Sequence, residues 1–217
     1  MTRRILLATA VAAMFLPSTL ARADNPRLVA TVGRNDSFTI SLRDASGNPV
    51  THLDAGTYDI EVHDLSEAHN FRLHGPGVEQ ATDIGSKEDV VWTVALADGK
   101  YRFECSAHAS VMNGWFTVGT VAPTPLAASV GPKRTISLKP KIVEVGPATL
   151  TVNDRSRTDN FHLTGPGVNK KTGVAFQTGV AFRGRVTWNV SLQPGSYTYR
   201  SDKHKRLRGS FVVRLPA

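Results

Sequence analysis

The chain has 217 residues, with 26 Lys and Arg against 18 Asp and Glu and a formal net charge of +8. This length is enough for two small domains. The single cysteine has no partner for the intramolecular disulfides that are common in exported proteins, so a disulfide-stabilised fold is excluded.

The first 23 residues have the pattern of a signal peptide. They combine an Arg-Arg start, the apolar run ILLATAVAAMFL and the small-residue sequence ARA. We therefore expect cleavage near Ala23/Asp24 and a periplasmic or secreted mature protein. The apolar run is too short to cross a bilayer, and no later stretch resembles a membrane helix, so no transmembrane segment is predicted.

The mature sequence alternates apolar and polar residues in short stretches. In TYDIEVHDL, the apolar Tyr58, Ile60 and Val62 alternate with polar residues, and VTWNVSL follows the same rule. A period of two is typical of half-buried strands, and the breaks at SGNP, ADGK and QPGS are turn sequences. This pattern predicts an all-β chain with a β-sandwich in each half.

Three potential metal ligands follow one of these strands. Cys105, His108 and Met112 lie in YRFECSAHASVMNGWFTV, and His69 in the earlier SEAHNF supplies a second imidazole. Copper that cycles between Cu(I) and Cu(II) favours a thiolate, two imidazoles and a weakly held thioether. Taken singly, Cys105 could be an inert buried thiol or form an intermolecular disulfide, Met112 could be packing, and His69 an ordinary surface imidazole. Their joint spacing favours a mononuclear copper site.

HNF followed by YRFECSAHASVMNGWFTV resembles the blue copper proteins, the cupredoxins. The resemblance covers the first half of the chain and, weakly, the second, and it implies tandem Greek-key sandwiches. It also implies one type 1 copper per chain, with His69, Cys105 and His108 as equatorial ligands and Met112 as the long axial ligand. Asn70 would tie the two ligand-bearing loops together through its side-chain amide.

The two halves are related in sequence but opposite in charge. DLSEAHNFRLHGPGV and DRSRTDNFHLTGPGV agree at nine of fifteen positions, which indicates an internal duplication. Residues 24–121 carry 7 Lys and Arg against 14 Asp and Glu, whereas residues 122–217 carry 16 against 4. We predict a copper domain at 24–118, a linker at 119–127 and a degenerate domain at 128–217.

The second half lacks the ligand set. Asp159 stands in the place of His69, and Ser201 in the place of Cys105, while His204 corresponds to His108. A hydroxyl cannot replace a thiolate as a strong copper ligand. We therefore expect a cupredoxin-like domain without copper.

The corresponding loop, SDKHKRLRG, is strongly basic. Such a surface could bind an acidic redox partner protein, of unknown identity, or an anionic membrane. It could equally serve solubility, or pair with the acidic half. Nucleic acid is not expected, because no aromatic-rich surface accompanies the charge. The residues concerned are Lys203, Lys205, Arg206 and Arg208, with Lys170 and Lys171 expected at the same end.

One-electron transfer is the predicted function. The alternative is a protein that buffers, delivers or senses copper without a redox partner. A two-domain copper enzyme would need further histidine clusters, and because the sequence has no His-x-His pair, we predict that the chain is not an enzyme. His52, His63 and His74 are expected to be solvated and to lie outside the site.

Overall fold

The structure, a computed structural model, describes residues 24–168 and 175–217. The predicted signal peptide (1–23) and the pair Lys170 and Lys171 lie outside the described residues. Strands dominate the described part, which contains two three-residue 3-10 turns and no helix long and apolar enough to cross a membrane. The all-β prediction is confirmed.

The first half folds as a sandwich of two sheets. One has the strand order β2-β1-β4-β7 and the other β3-β9-β8-β5-β6. Each contains one parallel pair, β1 with β4 and β3 with β9, among antiparallel neighbours. The strands are β1 (Arg27–Val32), β2 (Ile40–Asp44), β3 (His52–Leu53), β4 (Gly56–Asp64), β5 (Arg72–Gly75), β6 (Val78–Ala81), β7 (Glu88–Leu96), β8 (Gly99–Glu104) and β9 (Asn113–Val118).

The second half repeats this arrangement strand for strand. Its sheets have the orders β11-β10-β13-β16 and β12-β18-β17-β14-β15, so each strand corresponds to the one nine places earlier. Two β-sandwiches with the same strand order are therefore present, as the sequence predicts. The strands are β10 (Thr124–Val130), β11 (Ile136–Lys139), β12 (Ile142–Glu144), β13 (Gly146–Asp154), β14 (His162–Thr164), β15 (Phe176–Gln177), β16 (Gly184–Leu192), β17 (Gly195–Arg200) and β18 (Arg208–Arg214).

Alternation explains how each sheet faces its core. In β4, Tyr58, Ile60 and Val62 are buried, while the residues between them are partly exposed. Because successive side chains of a strand point to opposite faces, one face of the sheet covers the core and the other contacts solvent. Leu150 of β13 is fully buried by the same rule in the second half.

The GPG sequence common to both halves has a packing reason. A Cβ added at Gly75 would lie 2.5 Å from the ring of Tyr101, and one added at Gly165 would lie 2.3 Å from Tyr197. Each tyrosine hydroxyl donates a hydrogen bond to the carbonyl of the proline in that motif, at 3.0 Å to Pro76 and 2.7 Å to Pro166. Glycine is the residue that allows this approach.

The first strand of the second sandwich begins inside the predicted linker 119–127. Thr124 already belongs to β10, and Leu126, 1% exposed, pairs with Leu150 of β13. Pro125 suggested an extended connector, but an extended proline also fits a strand, because its missing N–H removes only one ladder hydrogen bond. The segment outside strands is therefore 119–123.

The two sandwiches contact each other directly. Trp115 of β9 packs against the core of the second sandwich. The Lys100 ammonium lies 3.3 Å from a carboxylate oxygen of Glu144, across the same boundary. Only this one charge pair joins the halves within the described residues, so the opposite net charges of the halves are mostly not matched by direct contacts.

Candidate metal centre

Three potential metal ligands meet at one end of the first sandwich. His69 lies in the loop between β4 and β5, Cys105 directly follows β8, and His108 ends the 3-10 turn Ser106–His108. The distances are 3.1 Å between the two Nδ1 atoms, 3.7 Å from Cys105 Sγ to His69 Nδ1 and 3.5 Å from Sγ to His108 Nδ1. Cys105 and His69 are buried, and His108 is half-buried.

These three atoms form a compact triangle. From the distances above, its centre lies about 2 Å from each atom, close to the metal–imidazole bond length of about 2.0–2.1 Å and somewhat shorter than a metal–thiolate bond of about 2.3 Å. The two imidazole nitrogens face one another, although two lone pairs at 3.1 Å repel unless a proton or a cation lies between them. The cluster therefore fits a metal ion held by two nitrogens and one sulfur.

Backbone hydrogen bonds close the loop from Cys105 to Met112. The Cys105 N–H donates to the Met112 carbonyl at 3.0 Å, and the Met112 N–H donates to the His108 carbonyl at 2.9 Å. Met112 is fully buried in the same core as Cys105. The thioether therefore lies inside the protein, in the core that also contains Cys105, where a packing role and a weak axial ligand role are both compatible with its burial.

Asn70 connects the two loops. Its Oδ1 accepts a hydrogen bond from the Ser106 N–H at 2.7 Å, and its Nδ2 donates to Ser106 Oγ and to the Thr82 carbonyl, both at 3.2 Å. Ser106 lies between Cys105 and His108, so the amide holds the thiol-bearing loop against the loop that carries His69. Because the amide is buried, losing it would leave several polar groups unsatisfied.

A buried carboxylate supports the same loops. Asp64 ends β4, accepts a hydrogen bond from Thr82 Oγ1, and is 1% exposed. Burial raises the pKa of Asp64, although the hydrogen bonds from Thr82 and from the Ser66 N–H oppose the shift. The loop after β4 is thus fixed from inside the sandwich.

Phe38 is a site residue that the sequence analysis missed. Its ring packs edge-on against both imidazoles, with centroid distances of 5.2 Å to His69 and 4.8 Å to His108. The ring is 62% exposed, which is unusual for a phenylalanine, and Val111 nearby in sequence to His108 is 68% exposed. In the sequence, the only sign of this role was an apolar residue in the polar stretch GRNDSFT. The residues that Phe38 contacts lie in loops distant in sequence, so the contact itself could not be predicted.

The corresponding place in the second sandwich holds a polar cluster. Asp159 accepts hydrogen bonds at its Oδ1 from Ser201 Oγ, at 2.9 Å, and from His204 Nδ1, at 2.6 Å. Asp159 and Ser201 are buried, while His204 is half-buried. Burial opposes ionisation of Asp159, but the hydrogen bonds from His204 and Ser201 outweigh it and lower the pKa of this carboxyl.

The supporting hydrogen bonds recur around this cluster. Asn160 Oδ1 accepts from the Asp202 N–H at 2.8 Å, and Asn160 Nδ2 donates to the Thr178 carbonyl at 3.0 Å. Asp154 accepts from Thr178 Oγ1, as Asp64 does from Thr82, and burial raises the pKa of Asp154 too. Asn160 therefore holds the loops of the second sandwich as Asn70 holds those of the first, although the groups that these loops bring together are a carboxylate, a hydroxyl and one imidazole.

The histidines predicted to be solvated behave differently from one another. His52 bonds Thr117 Oγ1 at 2.8 Å and is exposed, and His63, half-buried, bonds Asp89 at 2.6 Å. For His74 the prediction is wrong: it is 8% exposed and lies 3.6 Å from Glu104. In the strand register His74 pairs with Arg102 rather than with the Cys105 loop, and it does not belong to the cluster of His69, Cys105 and His108.

The basic loop is exposed at the equivalent end of the second sandwich. Lys203, Lys205, Arg206 and Arg208 are all exposed, and none forms an ion pair with any residue of the described part of the chain. The interpretation that this loop is neutralised by the acidic half has no contact to support it.

Some solved structures of copper proteins are similar to this chain. A multicopper oxidase matches 87% of this chain and 88% of its own, with 12% identity and a TM-score of 0.29. A mutant of amicyanin in its oxidized form matches 43% and 86%, with 24% identity and a TM-score of 0.31. The copper-containing nitrite reductase NirK from Thermus scotoductus SA-01 matches 87% and 61%, with 13% identity and a TM-score of 0.29.

No protein-family model matches this chain, and no curated protein matches it. The prediction that the chain is not an enzyme is contradicted by the structural neighbours, because two of those named above are enzymes. That prediction rested on the missing His-x-His pair, yet one fold can carry both electron carriers and enzymes. We do not retain it.

Proposed function

We propose that this protein binds one copper ion per chain through His69, Cys105 and His108, with Met112 as a weak fourth ligand, and that the site serves one-electron transfer. The observation that carries the proposal is the convergence of a buried thiol and two imidazole nitrogens within 3.7 Å of one another. A soft sulfur with two borderline nitrogens suits copper. A copper ion held there would supply a couple between Cu(I) and Cu(II).

The surrounding residues support rapid electron exchange by keeping the donor atoms in place. Cys105, His69 and Met112 are buried, and the loop from 105 to 112 is closed by its own backbone hydrogen bonds. Asn70 holds this loop to that of His69. A site whose ligands move little needs little reorganisation when its charge changes. His108 is half-buried beneath the exposed Phe38, so its imidazole would be the part of the site nearest to a docked partner.

The visible spectrum of the Cu(II)-loaded protein tests the site. An intense thiolate charge-transfer band is expected, because Cys105 would bind as a thiolate. A colourless Cu(II) complex would rule out the proposed thiolate site. Repeated reduction and oxidation without loss of metal to a competing chelator would favour electron transfer, whereas transfer of the copper to the chelator on reduction would favour copper buffering or delivery.

Two further elements belong to this proposal. The pattern of residues 1–23 supports export, so that the protein would act in the periplasm or outside the cell. The exposed and unpaired basic loop supports docking to an acidic protein or an anionic membrane through Lys203, Lys205, Arg206 and Arg208. Docking would then occur at one sandwich and electron exchange at the other.

A further inference from the structure

A basic cavity lies at the end of the second sandwich that corresponds to the metal end of the first. Its volume is about 540 Å³. Two loops form it: the turn between β10 and β11, and the loop between β17 and β18. The lining residues are Arg134, Lys203, His204, Lys205, Arg206 and Leu207.

The lining differs from the sequence-based interpretation of the basic loop. Arg134, which that interpretation did not include, lines the cavity, whereas Arg208 begins β18 and does not line it. Arg134 occupies the position of Phe38, because Gly131 N–H donates to the Thr135 carbonyl as Gly33 N–H donates to that of Thr39. A cation therefore stands where the first sandwich has its aromatic ring.

The cavity is positive, and none of the described residues that line it is acidic. Among residues of the described chain, none forms an ion pair with the four lining Lys and Arg side chains. The loop's own acid, Asp202, is engaged elsewhere by His162 and Asn160. Asp159 is buried and already accepts hydrogen bonds at both oxygens, from Ser201 and His204 at Oδ1 and from Ser156 and Thr158 at Oδ2. The four cations therefore repel one another unless an anion lies between them.

The loops that carry these charges are fixed. Ser201 N–H donates to the Leu207 carbonyl at 2.9 Å, and Leu207 N–H donates to the His204 carbonyl at 2.7 Å. The imidazole of His204 is held by Asp159. The cationic side chains thus extend from a preformed frame, and binding an anion does not require the loop to fold first.

We propose that this cavity binds a phosphate-bearing anion. A phosphate group presents several charged oxygens at one point, so it can accept from guanidinium and ammonium groups arranged around a concave site. Side-chain carboxylates on a protein surface offer single charges spread over a convex area, which fits the cavity less well. The inference deepens the docking part of the proposed function, on which it rests, and it does not depend on copper in the first sandwich.

Calorimetric titration of the full chain with pyrophosphate and with inorganic phosphate, at low salt, tests the inference. The variant Arg134→Ser/Lys205→Ser removes two cavity charges. The matched control Lys139→Ser/Arg214→Ser removes one arginine and one lysine from exposed positions of the same sandwich outside the cavity. Pyrophosphate affinity should fall about tenfold or more in the cavity variant and by less than about twofold in the control, because distant exposed charges are screened.

Vesicles of phosphatidylcholine with and without phosphatidylglycerol distinguish the sources of the phosphate group. Binding of pyrophosphate together with phosphatidylglycerol vesicles, both weakened in the cavity variant only, supports a lipid headgroup; binding of pyrophosphate alone supports a free phosphate compound. The inference is overturned if pyrophosphate affinity falls equally in the cavity variant and the control. It is also overturned if the protein binds vesicles but not pyrophosphate, or if it binds a glutamate-rich peptide more tightly than pyrophosphate. The Cu(II) band, recorded on the same samples, reports separately on the proposed copper site.

Discussion

The two sandwiches share their internal supports and differ at the positions that those supports hold. Asn70 and Asn160 bridge equivalent loops, and Asp64 and Asp154 accept from equivalent threonines. At the supported positions, the first sandwich has a thiol and two imidazoles, whereas the second has a carboxylate, a hydroxyl and one imidazole. The loop architecture therefore does not require the ligand set, and the chemistry of each end can change while its frame stays the same.

Each end also balances its buried groups in its own way. The first brings together donor atoms that a cation can bridge. In the second, the Asp159 carboxylate occupies that centre, and hydrogen bonds from Ser201 and His204 satisfy it. Around this centre, neutral residues of the first loop are replaced by cations: Ala107 by Lys203 and Ala109 by Lys205, when Cys105 is aligned with Ser201. The comparison predicts one metal end and one anion end.

The largest expected effect separates the two ends by their copper chemistry. Cys105→Ser should abolish the thiolate band and tight copper binding, because an alcohol is not ionised at neutral pH as a thiolate is. The equivalent change, Ser201→Ala, should leave both unchanged. Native mass spectrometry should count one retained copper in the parent and in Ser201→Ala, and none in Cys105→Ser. Two retained coppers in the parent would contradict the distinction between the ends.

Much of this distinction could be predicted from the sequence. Alternation over β4 and β16, with turn sequences between strands, is sufficient to predict sandwiches, since the period depends only on local backbone geometry. The spacing of Cys105, His108 and Met112 is local too, and the aligned motif DxSxxxNF brings His69 into the same comparison. Local patterns therefore account for the fold and for the positions of the candidate ligands.

The second expected effect concerns the buried carboxylate of the second end. Asp159→Asn should destabilise that sandwich by about 2 to 3 kcal/mol at neutral pH, since it removes a charged acceptor from Ser201 and His204. Because the pKa of Asp159 is lowered in the folded state, its contribution is complete above the unfolded pKa of about 4 and is lost as pH falls through the lowered value. Urea midpoints measured from pH 7 to pH 3 should therefore converge for parent and variant in acid.

A matched control is Asp36→Asn, which changes an exposed carboxylate outside both clusters and should shift the midpoint by less than about 0.5 kcal/mol at each pH. A difference between parent and Asp159→Asn that stays constant down to pH 3 would show that the carboxylate acts through packing rather than through its charge.

The third expected effect tests whether the shared supports are independent of metal. Asn70→Ala and Asn160→Ala should each lower the free energy of unfolding by about 1 to 2 kcal/mol, because each leaves a buried carbonyl and an N–H without partners. Hydrogen exchange should rise at Ser106 in the first variant and at Asp202 in the second. Only Asn70→Ala should also alter the Cu(II) band. If, in copper-free protein, Asn70→Ala is strongly destabilising and Asn160→Ala is not, the supporting role of the amide is specific to the metal site.

Contacts between loops distant in sequence account for what the sequence did not predict. Phe38 reaches His69 and His108, and Arg134 reaches the loop of Lys203 to Leu207, by closure of the sandwich rather than by any local period. The burial of His74 beside Glu104 likewise depends on strand pairing. Alignment of SFTISL with RTISL relates Phe38 to Arg134, but it does not indicate what either residue contacts.

The smallest expected effect compares Phe38 of the first sandwich with Arg134, which occupies the equivalent position in the second. Phe38→Ser removes edge contacts to two imidazoles and should destabilise the copper-free first sandwich by about 0.5 to 1 kcal/mol, in the range for aromatic pairs. Arg134→Ser removes an exposed, unpaired cation and should stay within about 0.5 kcal/mol of the parent, or slightly stabilise, since it relieves repulsion in the cavity.

Urea midpoints check both values, and added pyrophosphate sharpens the contrast between the two variants. Pyrophosphate should raise the midpoint of the parent and of Phe38→Ser, but it should raise that of Arg134→Ser much less. If Phe38→Ser does not change stability while Arg134→Ser is destabilising, the arginine contributes to folding and the aromatic ring does not. That result would contradict the assignment of Phe38 to the metal end and of Arg134 to an anion site.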